Sequence, residues 1–403
     1  MRVREFSYPN FVEKLPIEVK EIFAVFSSQI LLVGGCVRDL ILEKEINDFD
    51  FATKFTPQEV IEILQRNDIK AVPTGVKYGT VTAVLNQKNF EITTLRHEKN
   101  HDGRYFEAEF VDDYFFDAAR RDFTINALYL DVNGTVFDYF GGVSDIKKRK
   151  VIFIGDCDKR ITEDFLRILR FFRFSCEYAI SLDNKALEAC IKHKINLKKL
   201  SRERIRQEFF KLLLSEEKKS LLYVLSEMRR TKIAAEIFTK RFDLKSLEQL
   251  FVLEKKCNFS AKASLKIACL FVDKDTNLPE FFNEICATNY EKNLCNFLAK
   301  NFDVEINLDN LKHLLLWHEK DLIQDLYFFL ISKKRQKFSK KNLEFLQNFS
   351  LPNFPLKAED LITLGFARKE LGEALSLAKN FWAKNNFLPD KKSLLNFLSR
   401  AKN

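Results

Sequence analysis

Up to about residue 150 this chain alternates strand and helix signals, and beyond about residue 155 only helical spacing remains. That change of hydrophobic period, from two to about 3.6 residues, constrains the fold more than any other feature. It predicts an α+β chain: an N-terminal part with a small mixed sheet and helices, then a remainder that is all-α almost to Asn403. At 403 residues the chain is too long for one ordinary core, so roughly two to four domains are expected.

Within the first part, residues 28–35 (SQILLVGG) read as a strand ending in a Gly34-Gly35 turn, and 36–44 (CVRDLILEK) as a short helix. Residues 47–53 (NDFDFAT) read as a second strand, because Phe49 and Phe51 alternate with Asp48 and Asp50. Thr56 is the expected N-cap of a helix with Pro57 at its first position. Residues 79–96 read as a hairpin turning at Asn86-Gln87-Lys88-Asn89. Residues 97–110 are polar, have no clear period and contain Gly103, so a loop that moves or orders on binding is expected there. Further on, EDFLRILRFFRFS, DNKALEACIKHKI and SRERIRQEFFKLLLS are helical patterns, and Pro352 and Pro355 mark a later break. Neither an internal repeat nor a low-complexity linker is found.

Composition narrows the function classes. With 46% hydrophobic and 31% charged residues the chain is expected to fold. No apolar run approaches the roughly 20 residues that span a bilayer. The first residues carry charges and a proline where a signal peptide would have its apolar core, so a cytoplasmic location is expected. Eight cysteines without a CxxC pair suggest neither a zinc cage nor a redox motif, and five scattered histidines offer no metal cluster. The net charge of +9 is a modest bias toward a polyanionic partner.

Two stretches carry the chemistry. Asp48 and Asp50, two apart on an expected strand, would point to one face and offer hard oxygen ligands suited to Mg²⁺ and substrate phosphates. A bare Asp-x-Asp equally fits a polar strand end in solvent. The preceding Gly34-Gly35 turn, whose backbone N–H groups can meet an anion, and Arg38 one turn into the next helix make the combination more specific. The second stretch is EDFLRILRFFRF, which sets Asp164, Arg167, Arg170 and Arg173 along one helical stripe. A carboxylate only accepts hydrogen bonds and a guanidinium only donates them, so Asp164 and Arg167 together complement the edge shared by cytosine and adenine. The alternative is an ion pair three residues apart on a solvated face. The three arginines have too few acids on their own stripe to neutralise them, which an anionic ligand would relieve.

GGCVRDLILEKEINDFDFAT resembles the active-site motif of the class II tRNA nucleotidyltransferases, of the DNA polymerase β-like superfamily. ARRDFTINALYLD (119–131), FDYFGGVSDI (137–146), EDFLRILRFFRF and LSRERIRQEFFKLL (200–213) resemble the family's following motifs, in order. The family contains CCA-adding enzymes, bacterial poly(A) polymerases and enzymes adding only CC or only A. The resemblance implies that Asp48 and Asp50 hold the metal, Mg²⁺, while Gly35 and Arg38 contact the incoming triphosphate. It further implies that Arg121, Arg170 and Arg173 belong to the nucleotide site, that Asp122 helps distinguish ribose, and that Asp164 and Arg167 read the base. Glu91, on a strand expected beside Asp48 and Asp50, fits a third metal ligand or general base as well as a solvent-facing glutamate.

Residues 93–110, with their Asp102-Gly103-Arg104 element, resemble the segment that CCA-adding members use in switching from C to A, and no long basic tail of poly(A)-polymerase type is present. The expected activity is therefore template-independent CCA addition to tRNA from CTP and ATP. Poly(A) or A-only addition is the alternative, and a catalytically silent RNA-binding protein the non-enzyme one. Implied domains are a nucleotidyltransferase head (1–150), a nucleotide-selecting neck (151–215), a body (216–335) and a tRNA-binding tail (336–403). No membrane and no protein partner are implied. The basic stretches 199–206 and 332–341 are candidate tRNA contacts, each also readable as a solvated helix face.

Overall fold

The computed structural model describes residues 3–402 apart from 28, 47, 103 and 104, and only the backbone between 98 and 107. The chain divides into two compact units, Met1–Thr239 and Lys240–Asn403. The first unit holds ten strands: β1 (Arg4–Ser7), β2 (Ile30–Val33), β3 (Asp50–Thr53), β4 (Lys70–Gly75), β5 (Thr80–Leu85), β6 (Lys88–Thr94), β7 (Arg96–Asp102), β8 (Tyr105–Phe110), β9 (Leu128–Leu130) and β10 (Thr135–Asp138). Eight of them form one sheet in the order β1-β10-β9-β2-β3-β6-β5-β4. Among the described residues only β3 and β6 run parallel, so the sheet is mixed, as expected.

All four residues of β2 are buried, which suits a strand inside the sheet with both faces covered. The helix Pro57–Arg66 starts as its sequence indicates. The Thr56 hydroxyl accepts from the Glu59 amide and the Glu59 carboxylate accepts from the Thr56 amide, a reciprocal capping box. The β5–β6 turn is tighter than expected. Only Asn86 and Gln87 lie outside the ladder, with φ of 50° and 64°, the left-handed pair a two-residue hairpin turn requires.

Two expectations are corrected. Residues 97–110 are not an open loop: β7 and β8 pair antiparallel, with His97 opposite Glu109 and Lys99 opposite Glu107. Backbone hydrogen bonds join the polar β7 to β8, where Phe106, Ala108 and Phe110 alternate with Glu107 and Glu109. Within the Asp102-Gly103-Arg104 element, Gly103 and Arg104 lie outside the described residues. Asp48 also falls short of the strand. The ladder between β3 and β6 begins only at Asp50 opposite Glu91, so Asp48 sits just upstream of the strand, exposed, with its charge still acting on Asp50.

Beyond β10 no further strand occurs among the described residues, and helices follow. The helix Leu166–Tyr178 is buried on most sides through Ile168, Leu169, Phe171, Phe172 and Phe174, and it packs against the helices Arg202–Leu213 and Lys218–Arg230. In the second unit the helices Leu244–Cys257, Ala263–Phe271 and Lys320–Ser332 pack together, with Tyr327, Phe328 and Phe329 fully buried. A further core gathers Leu361, Trp382, Leu394 and Leu398. Pro352 and Pro355 lie in the non-helical stretch between Lys340–Asn348 and Ala358–Thr363, where the break was expected. No helix among the described residues is long and apolar enough to cross a membrane.

Candidate active site

Sheet topology assembles the site. Strands β2 and β3 pair antiparallel with Leu32 opposite Phe51, so the end of one lies beside the start of the other. Gly34 leaves β2 at the very edge where Asp50 opens β3. The Gly34 amide donates to the Leu128 carbonyl at 3.0 Å, tying the turn to the first residue of β9. Gly34 has φ of +81°, and a Cβ there would stand 3.2 Å from Nη1 of Arg121. A side chain would be strained and would crowd that arginine. Parallel pairing of β3 with β6 sets Glu91 directly across from Asp50.

Around this junction lies a cleft of about 420 Å³, within the size range of ligand pockets. Ten of the residues singled out in the sequence or by its resemblance line it: Gly34, Gly35, Arg38, Asp50, Arg121, Asp122, Asp164, Arg167, Arg170 and Arg173. Arg120, Asn126 and Phe174 complete the wall, which thus carries six arginines against three aspartates and favours an anion. Asp48 and Glu91 are not in the lining; both are exposed.

The expectation that the arginine stripe lacks acids is corrected. Carboxylates come from other turns and other elements. Arg167 donates to Glu163, four residues before it, and to the carbonyls of Arg160 (2.8 Å) and Arg120 (3.2 Å). Arg170 pairs with Asp122 at 2.6 Å and reaches Glu208 at 3.5 Å, and Nε of Arg173 donates to Glu208 at 2.6 Å. Among the described residues no hydrogen bond joins the Asp164 and Arg167 side chains. Its Oδ2 accepts from Arg204 at 2.7 Å and its Oδ1 from the Leu166 amide at 3.1 Å. Each member of the pair is fixed from behind. Two bonds use part of a carboxylate's roughly four lone pairs, and three bonds use part of a guanidinium's five N–H groups.

Asp122 is buried, and burial alone would raise its pKa. The Arg170 charge and the Asn126 amide reverse the sign and bring it to about 2. Asp117 is buried more completely. Burial again opposes its charge, but Arg120, Arg121 and the Tyr129 hydroxyl at 2.8 Å hold the carboxyl well below the usual range. Sequence reasoning overlooked Asp117 and Glu208, which orient four of the cleft's arginines. Their spacing was visible: Arg120 and Arg121 follow Asp117 by three and four residues on the helix side. Glu208 had no such signal, because its partners lie over 30 residues away. The third motif is structural. Asp138 accepts from the amides of Phe140, Gly141, Gly142 and Val143 at 2.7–3.2 Å, and a Cβ on Gly142 would fall 2.2 Å from the Thr124 carbonyl oxygen.

Asp50 behaves oppositely to Asp122. Desolvation first, then the charges of Glu91 and Asp48, outweigh the attraction of Arg121 and push its carboxyl up to about 6. No group of three or more His, Cys, Asp or Glu side chains with metal-holding geometry occurs among the described residues. The donors nevertheless fit a hard divalent cation: carboxylate oxygens that repel one another, beside a phosphate-sized cleft. Mg²⁺ characteristically takes one or two carboxylates and leaves its other positions to water and substrate phosphates.

Residues 30–152 match the family model described as the poly A polymerase head domain, and 180–240 the one described as the probable RNA and SrmB-binding site of polymerase A. The chain is 32% identical over 395 residues to the mitochondrial CCA tRNA nucleotidyltransferase 1 of Danio rerio, covering 96% of this chain and 90% of that protein. It is 40% identical over 209 residues to the CCA-adding enzyme of Lactobacillus delbrueckii subsp. bulgaricus, covering 51% of each. In fold it resembles the CCA-adding enzyme of Bacillus stearothermophilus solved in complex with CTP, with a TM-score of 0.78, 24% identity and 98% coverage of both chains.

Proposed function

The chain belongs to the family of tRNA nucleotidyltransferases that contains the CCA-adding enzymes, and from that membership we propose that it adds CCA to the 3′ end of tRNA. It uses CTP and ATP, works without a nucleic-acid template and releases pyrophosphate. The observation that carries this reading is a single cleft that holds Asp50, the Gly34-Gly35 turn and the start of the arginine-bearing helix together.

The terminal hydroxyl of tRNA attacks the α-phosphorus of the bound nucleotide, and the bond to pyrophosphate breaks. Gly35 and Arg38 face the triphosphate, with Arg121, Arg170 and Arg173 adding positive charge around it. Asp164 accepts from the exocyclic amine of C or A while Arg167 donates to the adjacent ring acceptor. Uracil, which has no exocyclic amine, offers Asp164 no such donor and is rejected. Asp122 contributes to recognition of ribose, and Glu91, opposite Asp50, is the third carboxylate. Enzymes of this family generally use divalent metal ions. Asp48 and Asp50 would hold the ion, Mg²⁺ in this reading, which would supply activation of the hydroxyl and charge stabilisation of the leaving group.

The head (1–150), neck (151–215), body (216–335) and tail (336–403) remain the proposed functional divisions, with tRNA contacts in the helical part. Cytoplasmic residence belongs to the same proposal, and the eight free cysteines suit a reducing compartment.

The test is extension of a tRNA transcript ending before CCA, with product length read after CTP alone, ATP alone or both. Two additions with CTP and three with both are expected. The poly A polymerase names of the matching family models favour one competing outcome. A long ladder with ATP alone would make the chain a poly(A) polymerase.

A further inference from the structure

Arg38 is an unusual phosphate ligand because it is 6% exposed and already heavily engaged. Its Nε and Nη2 fork onto Asp39 at 2.9 and 2.8 Å, and Nη1 donates to Oδ1 of Asn126. A guanidinium carries five N–H groups, so among the described residues two stay uncommitted, one on each terminal nitrogen. Nη2 lies 3.5 Å from where a Cβ on Gly35 would sit, beside the Gly-Gly turn and at the cleft. Aim is therefore what matters for this side chain.

The aim is set from 140 residues away. The Arg38 guanidinium carbon lies 4.1 Å from the ring centroid of Tyr178, and the Tyr178 hydroxyl donates to Oδ1 of Asp39 at 3.2 Å. One side chain thus covers a face of the guanidinium and also tethers the carboxylate that forks onto it. Tyr178 is the last residue of the helix Leu166–Tyr178, whose first turn carries Arg167. The same helix therefore fixes a base-reading arginine at one end and a triphosphate arginine at the other.

We propose that Tyr178 is a positioning residue for nucleotide binding, acting through Arg38 and Asp39 to keep the two uncommitted N–H groups directed at the triphosphate. This rests on the nucleotide-transfer reading of the cleft and names a residue that the shared motifs do not single out. Loss of the ring uncovers the guanidinium and frees Asp39 together, whereas loss of the hydroxyl alone frees only Asp39.

Steady-state nucleotide addition by full-length Tyr178→Leu and Tyr178→Phe, alone and in an Arg38→Ala background, tests this. Tyr178→Leu is expected to raise KM for CTP and ATP about fivefold, and Tyr178→Phe about twofold, with kcat and the KM for tRNA within about twofold of wild type. In the Arg38→Ala background Tyr178→Leu should change nothing further, as residues acting through one contact are not additive. An unchanged nucleotide KM in a folded Tyr178→Leu protein would overturn the proposal, as would full additivity with Arg38→Ala. Binding of CTP and of inorganic pyrophosphate by calorimetry keeps the two readings apart. If wild type binds both but transfers nothing, the activity reading fails while a fivefold weaker pyrophosphate affinity in Tyr178→Leu still supports positioning. If wild type binds neither, the positioning role fails with it.

Discussion

Asp122 and Asp50 stand in one cleft and are driven in opposite directions by what surrounds them. Asp122 is enclosed, and Arg170 and Asn126 keep it ionised with a pKa of about 2, below its unfolded value. A depressed carboxylate stabilises the fold above its unfolded pKa, and that contribution is lost as pH falls through the folded one. Asp122→Asn should therefore cost about 2 kcal/mol near neutrality, and its deficit should shrink as pH drops from about 4 toward about 2. Urea unfolding of both proteins across that range checks the sign; a deficit that does not vary with pH would contradict it. Asp50 has mostly negative neighbours and only Arg121 opposing them, as befits a group meant to share a cation. Asp50→Ala should lower nucleotide addition by at least about a thousandfold while thermal unfolding without divalent ions stays at or above that of wild type. Radiolabelled CTP incorporation and a melting curve measure the two effects.

At the scale of elements, the helix Leu166–Tyr178 explains both what the sequence displayed and what it concealed. Its arginines at every third position were visible as a pattern, because helical spacing places them on one stripe; Asp164, expected on that stripe, instead lies just before the helix in extended backbone, with φ of −153° and ψ of 109°. Their counter-charges were not, because Glu208 and Asp122 belong to elements that only the folded sheet and helix packing bring near. The same limit hid the β7–β8 hairpin. Its first strand is polar throughout, and the short alternation of Phe106, Ala108 and Phe110 with Glu107 and Glu109 in the second was overlooked beside it. It also placed Asp48 on a strand that tertiary pairing begins two residues later. Capping and turn chemistry, being local, were legible to the residue at Thr56 and Pro57. The helix start carries a prediction of its own. Asp164→Ala should leave the phosphate-facing groups in place and relax discrimination between CTP and UTP by about tenfold to a hundredfold. Competition between the two nucleotides on a tRNA lacking CCA would show it, and unchanged selectivity would remove Asp164 from base reading.

For the molecule as a whole, charge is the property that the sequence stated and the fold redistributes. Of the basic stretch 199–206, Arg204 is committed to Asp164 and Arg202 donates to the Ile237 carbonyl at 2.8 Å. In 332–341, Lys333 is tied to Asp243 with its side chain 6% exposed, while Lys334, Lys337, Lys340 and Lys341 are exposed. The second stretch is thus the better phosphate-facing surface. Affinity for tRNA should fall with salt at a log–log slope steeper than about −2, and Gln at these four lysines should flatten it. A slope near zero for wild type would contradict phosphate tracking. The all-α character of the later chain was plain from its period, whereas which helices gather around Trp382 was not, since apolar stripes do not name their partners. The most direct test of the account sequences the 3′ ends of a CCA-lacking tRNA after incubation with equal amounts of all four nucleotides and Mg²⁺, wild type beside Asp50→Ala. Ends that read CCA in wild type and remain unextended in Asp50→Ala are the predicted result. Runs of A, ends containing U or G, or extension that survives Asp50→Ala would contradict it.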